Sequence, residues 1–122
     1  GTEQQITPPT PVGTGGYKFT KKDAQTGEVL QNAKFVVKQD SNFAIFEDAK
    51  NTKGEYIFKE WTTDKEKATN IVSDNSGSIK VIGLTNGKYV LNETKTPSAN
   101  YVLLKDGTIT FTVVHGKYVT ST

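Results

Sequence analysis

Cysteine and methionine are both absent from the 122 residues of the sequence. Without cysteine the chain can form no disulfide, although a secreted domain of this size commonly relies on disulfides for stability. Any additional covalent support must therefore come from other chemistry. Long hydrophobic runs are missing too: no apolar segment approaches the length of a membrane span, so we expect no membrane insertion, and none has the pattern of a signal peptide.

An excess of charge of either sign is also lacking. The 15 basic and 13 acidic side chains give a net charge of +2 and are interspersed along the chain. Because there is no basic run or arginine-rich stripe, we expect no nucleic-acid partner. Hydrophobic residues make up 34% of the chain. This is low for a globular domain, but the residues are patterned too regularly for disorder.

The motifs of most catalytic and metal sites are missing as well. His115 is the only histidine, and its position beside a glycine predicts an exposed turn rather than a catalytic triad or a zinc site. No glycine-rich phosphate loop occurs. The Asp-Asn-Ser-Gly stretch at 74–77 lacks the repeated acids and closing glutamate of a calcium loop, so it predicts a β-turn. We expect no metal, no cofactor and no turnover of a free substrate.

The chain divides into an opening segment and one domain. Residues 1–16 are rich in Thr, Pro and Gly and carry one charge, which predicts a flexible linker. From residue 17 to residue 122, short stretches rich in Val, Ile, Thr, Tyr and Phe alternate with turn signals at intervals of about 8–12 residues, which is typical of a β-sandwich. The sequence therefore predicts one all-β domain of about seven or eight antiparallel strands.

Particular turns and strands can be placed within this domain. A pair of strands, 42–46 and 55–61, flanks a turn at 51–54, and Thr85-Asn-Gly87 predicts a tight hairpin. A further Asp-Gly turn is expected at 105–107. The only stretch compatible with a helix is 64–68, about one turn long.

Two charged residues interrupt the pattern of the strands. Tyr17, Phe19 and Lys21 alternate along the first strand, so period two places the lysine on the apolar face. The same spacing places Glu93 on the face of Tyr89 and its neighbour Leu91. Two explanations stay open for each residue: a buried charged group that needs a partner, or a strand-end side chain that reaches water.

Three stretches resemble one family, the B-type immunoglobulin-like (CnaB-like) domains of Gram-positive pilins and adhesins, including SpaA-type pilins. Residues 19–35 are similar to the family's opening strand with K-x-D, a turn ending in glycine and L-x-G-A-x-F. The second stretch comprises 68–69, the turn at 74–77 and Ile82-Gly-Leu84. The third contains Tyr89-Val-Leu-Asn-Glu93, which resembles the E-box Y-x-L-x-E, and a tail from Pro97 to Tyr101.

Two departures from the family pattern concern glycine positions. Asn32 stands where the family usually has glycine before Ala33, and Asn100 stands where glycine would lie in a tail that is one residue longer. Asparagine tolerates a left-handed backbone better than most residues, so we expect the immunoglobulin-like fold to survive both changes.

The resemblance implies a specific chemistry. In this family the lysine of the first strand forms an intramolecular isopeptide bond with an Asn or Asp side chain, and the E-box acid is the catalyst. By resemblance, Lys21 is the nucleophile and Glu93 the catalytic acid. Burial disfavours the charged forms of both groups, which suits an amine that attacks and an acid that polarises a carbonyl. The reaction would run once during folding.

The acceptor of this bond is missing from the expected place. The family's acceptor lies on the last strand, but residues 109–122 contain neither Asn nor Asp. Asn70, Asn92, Asn100 and Asp106 lie elsewhere, so no acceptor is assigned. Two explanations stay open: the sequence stops before the final strand, or the domain forms no such bond. In the first case, a strand from another chain could add to the open edge.

The resemblance predicts a structural domain of a cell-surface pilin or adhesin stalk, extracellular and attached to the cell wall. Its expected partners are neighbouring pilin or adhesin domains and subunits. Because no LPxTG-type sorting signal or YPKN-like motif occurs, we expect a piece of a longer protein. The alternative is an adhesin module for a host matrix protein such as collagen, with aromatic residues of 39–67 either forming an exposed patch or filling the core. These aromatic residues are Phe43, Phe46, Tyr56, Phe58 and Trp61.

Overall fold

The computed structural model describes residues 14–101 and 108–120. Within these ranges the chain forms nine strands: β1 (Thr14–Thr20), β2 (Lys34–Gln39), β3 (Asn42–Phe46), β4 (Glu55–Thr62), β5 (Ile71–Val72), β6 (Ser78–Thr85), β7 (Gly87–Lys95), β8 (Thr108–Val113) and β9 (Tyr118–Thr120). One short 3₁₀ turn, Lys65–Lys67, follows Asp64, whose side chain accepts a hydrogen bond from the Glu66 amide. The predicted all-β fold and its single helical turn are confirmed.

The strands form a nearly closed sandwich. They follow the order β8-β7-β2-β3-β4-β6-β1-β9, and β5 pairs with β2 beside this path. β4 joins the two layers, because its first residues, 55–57, pair with β6 and its later residues, 58–62, pair with β3. The predicted pairing of β3 with β4 across the turn at 51–54 is therefore confirmed.

The topology differs from the prediction in two respects. Two strand pairs are parallel, β4 with β6 and β1 with β9, although only antiparallel strands were expected. The hairpin predicted at Thr85-Asn-Gly87 is wrong, because β6 pairs with β1 and β4 whereas β7 pairs with β2 and β8. The turn instead carries the chain from one layer to the other. Turn residues favour a reversal of direction, but they do not determine which strands then pair.

The alternation of apolar residues builds the core between the two layers. In β6, Ile79 and Val81 are buried, and the pattern resumes at Leu84 rather than at Gly83. Gly83 has a φ of 91° and is the extra residue of a bulge opposite Gly15 and Gly16. The core cluster contains Phe19, Ala33, Phe35, Val37, Ala44, Phe46, Ile71, Ile79, Val81, Leu84, Tyr89, Leu91, Phe111 and Val113.

The boundary between the predicted linker and the domain stays a prediction. β1 includes Thr14, Gly15 and Gly16, which the expected linker over 1–16 contained. Residues 1–13 and the predicted turn at 105–107 lie outside the described residues. Among the residues that are described, no helix has the length and apolar character needed to cross a bilayer.

Candidate functional site

Lys21 lies just beyond β1, in a backbone that is held from both sides. Its amide donates to the carbonyl of Gly77 at 2.7 Å, and its carbonyl accepts from the amide of Leu30 at 2.9 Å. Gly77 is the last residue of the predicted turn at 74–77, and its own amide donates to the Asp74 carbonyl. A β-carbon on Gly77 would lie 2.8 Å from the Lys21 carbonyl oxygen, so the turn packs directly on the lysine backbone.

Glu93 faces the lysine from the opposite layer. It continues the buried stripe of Tyr89 and Leu91 along β7 and pairs with Phe35 of β2. The Lys21 Nζ atom lies 3.4 Å from Glu93 Oε2, and the two side chains are 16% and 0% exposed. The structure thus brings together the two residues that the period-two pattern singled out. The alternative of a strand-end side chain in water is wrong for Glu93, whereas Lys21 keeps part of its surface in contact with water.

The pair brings an amine and a carboxyl group into direct contact. Transfer of one proton from the ammonium to the carboxylate replaces the ion pair with a neutral amine and a carboxylic acid. These are the nucleophile and the acid that an amide-forming reaction requires. The catalytic roles of Lys21 and Glu93 stay a prediction, carried by their contact and burial.

A second group of hydrogen bonds lies near Lys21, at the side chain of Asp23. The Asp23 carboxylate accepts hydrogen bonds from the amides of Gln25 at 2.8 Å and Thr26 at 3.1 Å, and from the Tyr101 hydroxyl at 2.9 Å. These three donors, in that order, lower the pKa of Asp23, and the bond to Asp23 raises the pKa of Tyr101. The tail after the E-box is therefore fastened to the turn that follows the lysine. Both residues lay in the matching stretches, but sequence reasoning gave them no role.

Ser73 is a further contributor that sequence reasoning missed. Its side chain is buried, donates to the Leu30 carbonyl at 2.8 Å and accepts from the Ala33 amide at 3.0 Å. It thereby fixes the segment that joins Lys21 to β2. A single serine between Val72 and Asp74 carries no sequence signal for this role.

The carboxamides considered as acceptors lie elsewhere. Asn70 accepts a hydrogen bond from the Thr94 hydroxyl at 2.7 Å. Asn92 precedes Glu93 in β7, so its side chain points to the other face of the sheet. Asn100 is exposed in the loop after β7, and Asp106 lies outside the described residues. No acceptor is assigned.

Other sequence expectations have clear outcomes. Asn32 has a φ of 75°, which explains why a glycine would suit this position. Asn100 was expected to need the same conformation, but among the described residues the non-glycine positions with positive φ are Asn32 and Asp40. His115 is exposed in a turn, as predicted. In the ranges 14–101 and 108–120, no cluster of three or more potential ligand side chains could hold a metal ion.

The aromatic residues of 39–67 pack largely against the core. Phe46 is buried, and Tyr56, Phe58 and Trp61 are half-buried against the core cluster. The Trp61 ring stacks on Tyr89 with centroids 5.9 Å apart and planes 6° apart. Phe43 is half-buried below the Lys38 ammonium, which lies 5.8 Å from the ring centroid. Of the two interpretations of these residues, core filling describes them better than an exposed patch.

Solved pilin structures share this fold. GBS52, the minor pilin of Streptococcus agalactiae, matches with a TM-score of 0.68 and 24% identity over 90% of this chain and 43% of that one. The C-terminal domain of the shaft pilin spaA from Lactobacillus rhamnosus GG matches at 0.68 and 25% over 87% and 94%. The group B streptococcus pilus 2b backbone protein matches at 0.68 and 27% over 87% and 38%. This chain thus spans less than half of GBS52 and of the backbone protein.

Comparison with curated protein sequences gives no match. A family model, described as the SpaA prealbumin-like fold domain, matches residues 15–122. This range includes all nine strands except the first residue of β1, and it contains both Lys21 and Glu93. Together with the likeness to shaft and backbone pilins, this match shows that the chain is homologous to domains of Gram-positive pili. The chain belongs to the SpaA prealbumin-like domain family of pilins.

Proposed function

We propose that this chain is a structural domain of a Gram-positive pilus shaft or adhesin stalk, exposed outside the cell and attached to the cell wall, and that Lys21 forms an isopeptide bond within it. The observation that carries the proposal is the contact of 3.4 Å between Lys21 Nζ and Glu93 Oε2, with Glu93 fully shielded. The likeness of the fold to solved shaft and backbone pilins supports the setting. Neighbouring pilin or adhesin subunits are its partners.

The proposed reaction is an aminolysis of a side-chain amide. Glu93 takes the proton from the Lys21 ammonium and presents it, as a carboxylic acid, to the carbonyl oxygen of an Asn side chain. The Lys21 nitrogen attacks the carbonyl carbon, a new N–C bond forms, and the old bond breaks with release of ammonia. With an Asp acceptor, water leaves instead. The departing group takes one proton from the attacking nitrogen and the proton that Glu93 had carried, so that the Asn nitrogen leaves as ammonium, the protonated form of ammonia, and Glu93 returns to the carboxylate.

Such a bond would substitute for the disulfides that this chain cannot form. By analogy with a disulfide closing a long loop, the cross-link contributes about 3–5 kcal/mol to stability. It would also join the first strand to a later one covalently, so that a pulling force would not depend on the hydrogen bonds of the ladder. Because the reaction consumes its own side chains, the domain processes no free substrate.

The proposal is tested by the intact mass of the domain, expressed both as this chain and within the full protein that contains it. We expect at least one chain to lose the mass of one ammonia and to yield a cross-linked peptide containing Lys21. Lys21→Arg keeps a positive charge without a reactive amine, and Glu93→Gln keeps the shape without the acid, so both should retain their full mass. Full mass in every chain would refute the proposal.

The alternative function, a module that binds collagen or another host matrix protein, stays a prediction. The aromatic residues that suggested it are half-buried or buried, and Trp61 is engaged with Tyr89 and Phe58. Nothing in the described residues gives it particular support.

A further inference from the structure

The corner between β6 and β7 contains an asparagine followed by a glycine. Asn86 is the only asparagine of the sequence with a glycine after it, and its side chain is exposed to water. Because glycine has no β-carbon, its backbone nitrogen can approach a preceding carboxamide closely. The corner also requires a glycine at this place, since Gly87 has a φ of 148°, a conformation that other residues rarely adopt. The fold therefore keeps a reactive pair on its surface.

The Asn86 side chain is held by the turn that follows β8. Its Oδ1 atom accepts a hydrogen bond from the backbone amide of His115. Gly87 pairs with Val113 at the end of β8, so the corner and this turn lie side by side. The turn spans residues 114–117 and closes through a bond of 3.1 Å from the Lys117 amide to the Val114 carbonyl. A backbone donor thus fixes the orientation of an exposed carboxamide.

The 114–117 turn is in place only while the end of the chain lies beside β1. The Gly116 amide donates to the Thr14 carbonyl at 3.0 Å, and the Gly16 amide donates to the Lys117 carbonyl at 2.9 Å. β9, which follows the turn, has three residues and pairs with β1 at one end of the strand order. Short edge segments of this kind open more easily than the core. When the turn lifts, the His115 amide leaves Asn86.

We propose that Asn86 is a site of spontaneous deamidation controlled by the 114–117 turn: the His115 amide holds the carboxamide away from the Gly87 nitrogen, and release of the turn allows the attack. The reaction needs the nitrogen and the carboxamide carbon in direct contact and correctly oriented. The bond to His115 opposes the rotation that would bring them together. The inference involves neither Lys21 nor Glu93 and is independent of the proposed function.

The reaction consumes water and releases ammonia. The Gly87 nitrogen attacks the Asn86 carboxamide carbon and closes a cyclic imide, a succinimide. The carboxamide nitrogen leaves, and the proton lost from the Gly87 nitrogen balances the one that the leaving group takes up to become ammonia. Water then opens the ring at either carbonyl and gives aspartate or isoaspartate. In isoaspartate the former side chain becomes part of the main chain, so a transient opening of the turn becomes a permanent change of the corner.

The first test removes the His115 amide without removing the turn. Gly116 has a φ of 75°, which is typical of the third residue of a type II turn, and proline is common at the second position of such turns. His115→Pro therefore suits the turn and lacks the N–H donor. We expect it to deamidate about fivefold faster than the parent, the effect of losing one hydrogen bond. His115→Ala keeps the amide and should react like the parent.

The measurement follows each chain over time in mildly alkaline buffer. After digestion, aspartate and isoaspartate at position 86 are quantified by mass spectrometry. A succinimide lacks one ammonia, as an isopeptide bond from asparagine does, and the digest separates the two because it locates the change at Asn86 or at Lys21. A free peptide that contains Thr85-Asn-Gly87 should deamidate faster than the parent chain.

The second test loosens the turn and leaves the His115 amide in place. Gly116 and Gly27 have φ values of 75° and 78°, and a β-carbon at either position would meet none of the described atoms within 4 Å. Alanine at the two positions therefore introduces the same backbone strain, but Gly27 belongs to the turn that follows Asp23. We expect Gly116→Ala to accelerate deamidation at Asn86 by at least about fivefold. Gly27→Ala should react like the parent. This pair decides the matter if His115→Pro fails to fold.

Faster deamidation in His115→Pro and Gly116→Ala, with both controls unchanged, would support the proposal. An unchanged or slower rate in a folded form of either variant would overturn the control by the turn. Equal acceleration by Gly27→Ala would also overturn it, because the reaction would then proceed through unfolding of the whole domain. Absence of deamidation at Asn86 in every chain, under conditions in which the peptide reacts, would show that Asn86 is not a modification site.

Discussion

Ser73 holds together the segment between Lys21 and β2 through two buried hydrogen bonds. Replacing it with alanine leaves the Leu30 carbonyl and the Ala33 amide without a partner in a region that is closed to water. Each buried polar group left unsatisfied costs about 1–3 kcal/mol. We therefore expect Ser73→Ala to lower the free energy of unfolding, measured by urea denaturation, by about 3 kcal/mol.

The matched control for this prediction is Ser76→Ala. Ser76 is exposed in the adjoining turn, and it is its backbone amide that donates to Asp74. Its replacement should change the free energy of unfolding by no more than about 0.5 kcal/mol. Equal losses in the two variants would show that the Ser73 hydroxyl has no special role.

The stability of the domain should depend on pH through the ionisation of Asp23. Its pKa is lowered by hydrogen bonds from Gln25, Thr26 and Tyr101, so the folded state favours the ionised form. The contribution is present in full above the ordinary aspartate pKa of 3.8 and is lost as the pH falls through the lower pKa of the folded state. The difference in unfolding free energy between the parent chain and Asp23→Asn should therefore shrink below about pH 4. A difference that is constant with pH would contradict this account.

Residues of the site differ in how far the sequence could reveal them. Lys21 and Glu93 were found because a charged residue in an apolar period-two stripe is visible within five residues of sequence. The bond between Asp23 and Tyr101 joins residues 78 positions apart, so its existence depends on the tertiary fold. Asn32 lies between these cases, since a residue that replaces an expected glycine marks a position where φ is positive.

At the scale of elements, the strands themselves follow from local patterns, but their partners do not. The turn at 51–54 joins strands that pair, whereas the turn at Thr85-Asn-Gly87 joins strands in different layers. Near the second turn, the Tyr89 hydroxyl donates to the Thr85 carbonyl at 2.7 Å and stabilises the corner. Both turns have favourable turn chemistry, and only the distribution of buried faces over the whole sandwich distinguishes them.

The turn before β6 offers a comparison between two glycines. Gly77 and Gly27 have nearly the same φ, 73° and 78°, so alanine at either position costs about 1–2 kcal/mol of backbone strain. A β-carbon on Gly77 would also lie 2.8 Å from the Lys21 carbonyl and 2.9 Å from the Val29 β-carbon, whereas Gly27 has nothing within 4 Å. Gly77→Ala should therefore destabilise the domain by about 2 kcal/mol more than Gly27→Ala in urea denaturation.

The same pair of variants also bears on the site. Because Gly77 accepts the hydrogen bond from the Lys21 amide, its displacement should move the lysine away from Glu93. Equal destabilisation by the two substitutions would mean that the turn at 74–77 can shift to accommodate the new β-carbon without displacing Lys21 or β1.

At the scale of the whole molecule, the proposed site joins parts of the chain that are distant in sequence. Lys21 follows the first described strand, Glu93 lies in β7, and the last described strand lies beside the first. Regular alternation and frequent turns were enough to predict a sandwich. The parallel pairing of β1 with β9 was not predictable in this way, because it depends on where the final strand returns after every other strand is in place.

The position of β9 at one end of the strand order predicts how the domain opens. β9 has three residues and, among the strands in 14–101 and 108–120, pairs with β1 alone, whereas β1 is also paired along its length with β6. Short edge elements open with lower free energy than the strands they cover. The Gly16 amide, bonded to Lys117, should therefore exchange its hydrogen at least about tenfold faster than the Lys21 amide, bonded to Gly77, in native-state exchange measured by NMR. Because the Tyr118 ring lies over Gly16, Tyr118→Ala should accelerate hydrogen exchange at the Gly16 amide and leave exchange at the Lys21 amide unchanged. Identical rates for the two amides would mean that β9 separates from β1 only when the whole domain unfolds.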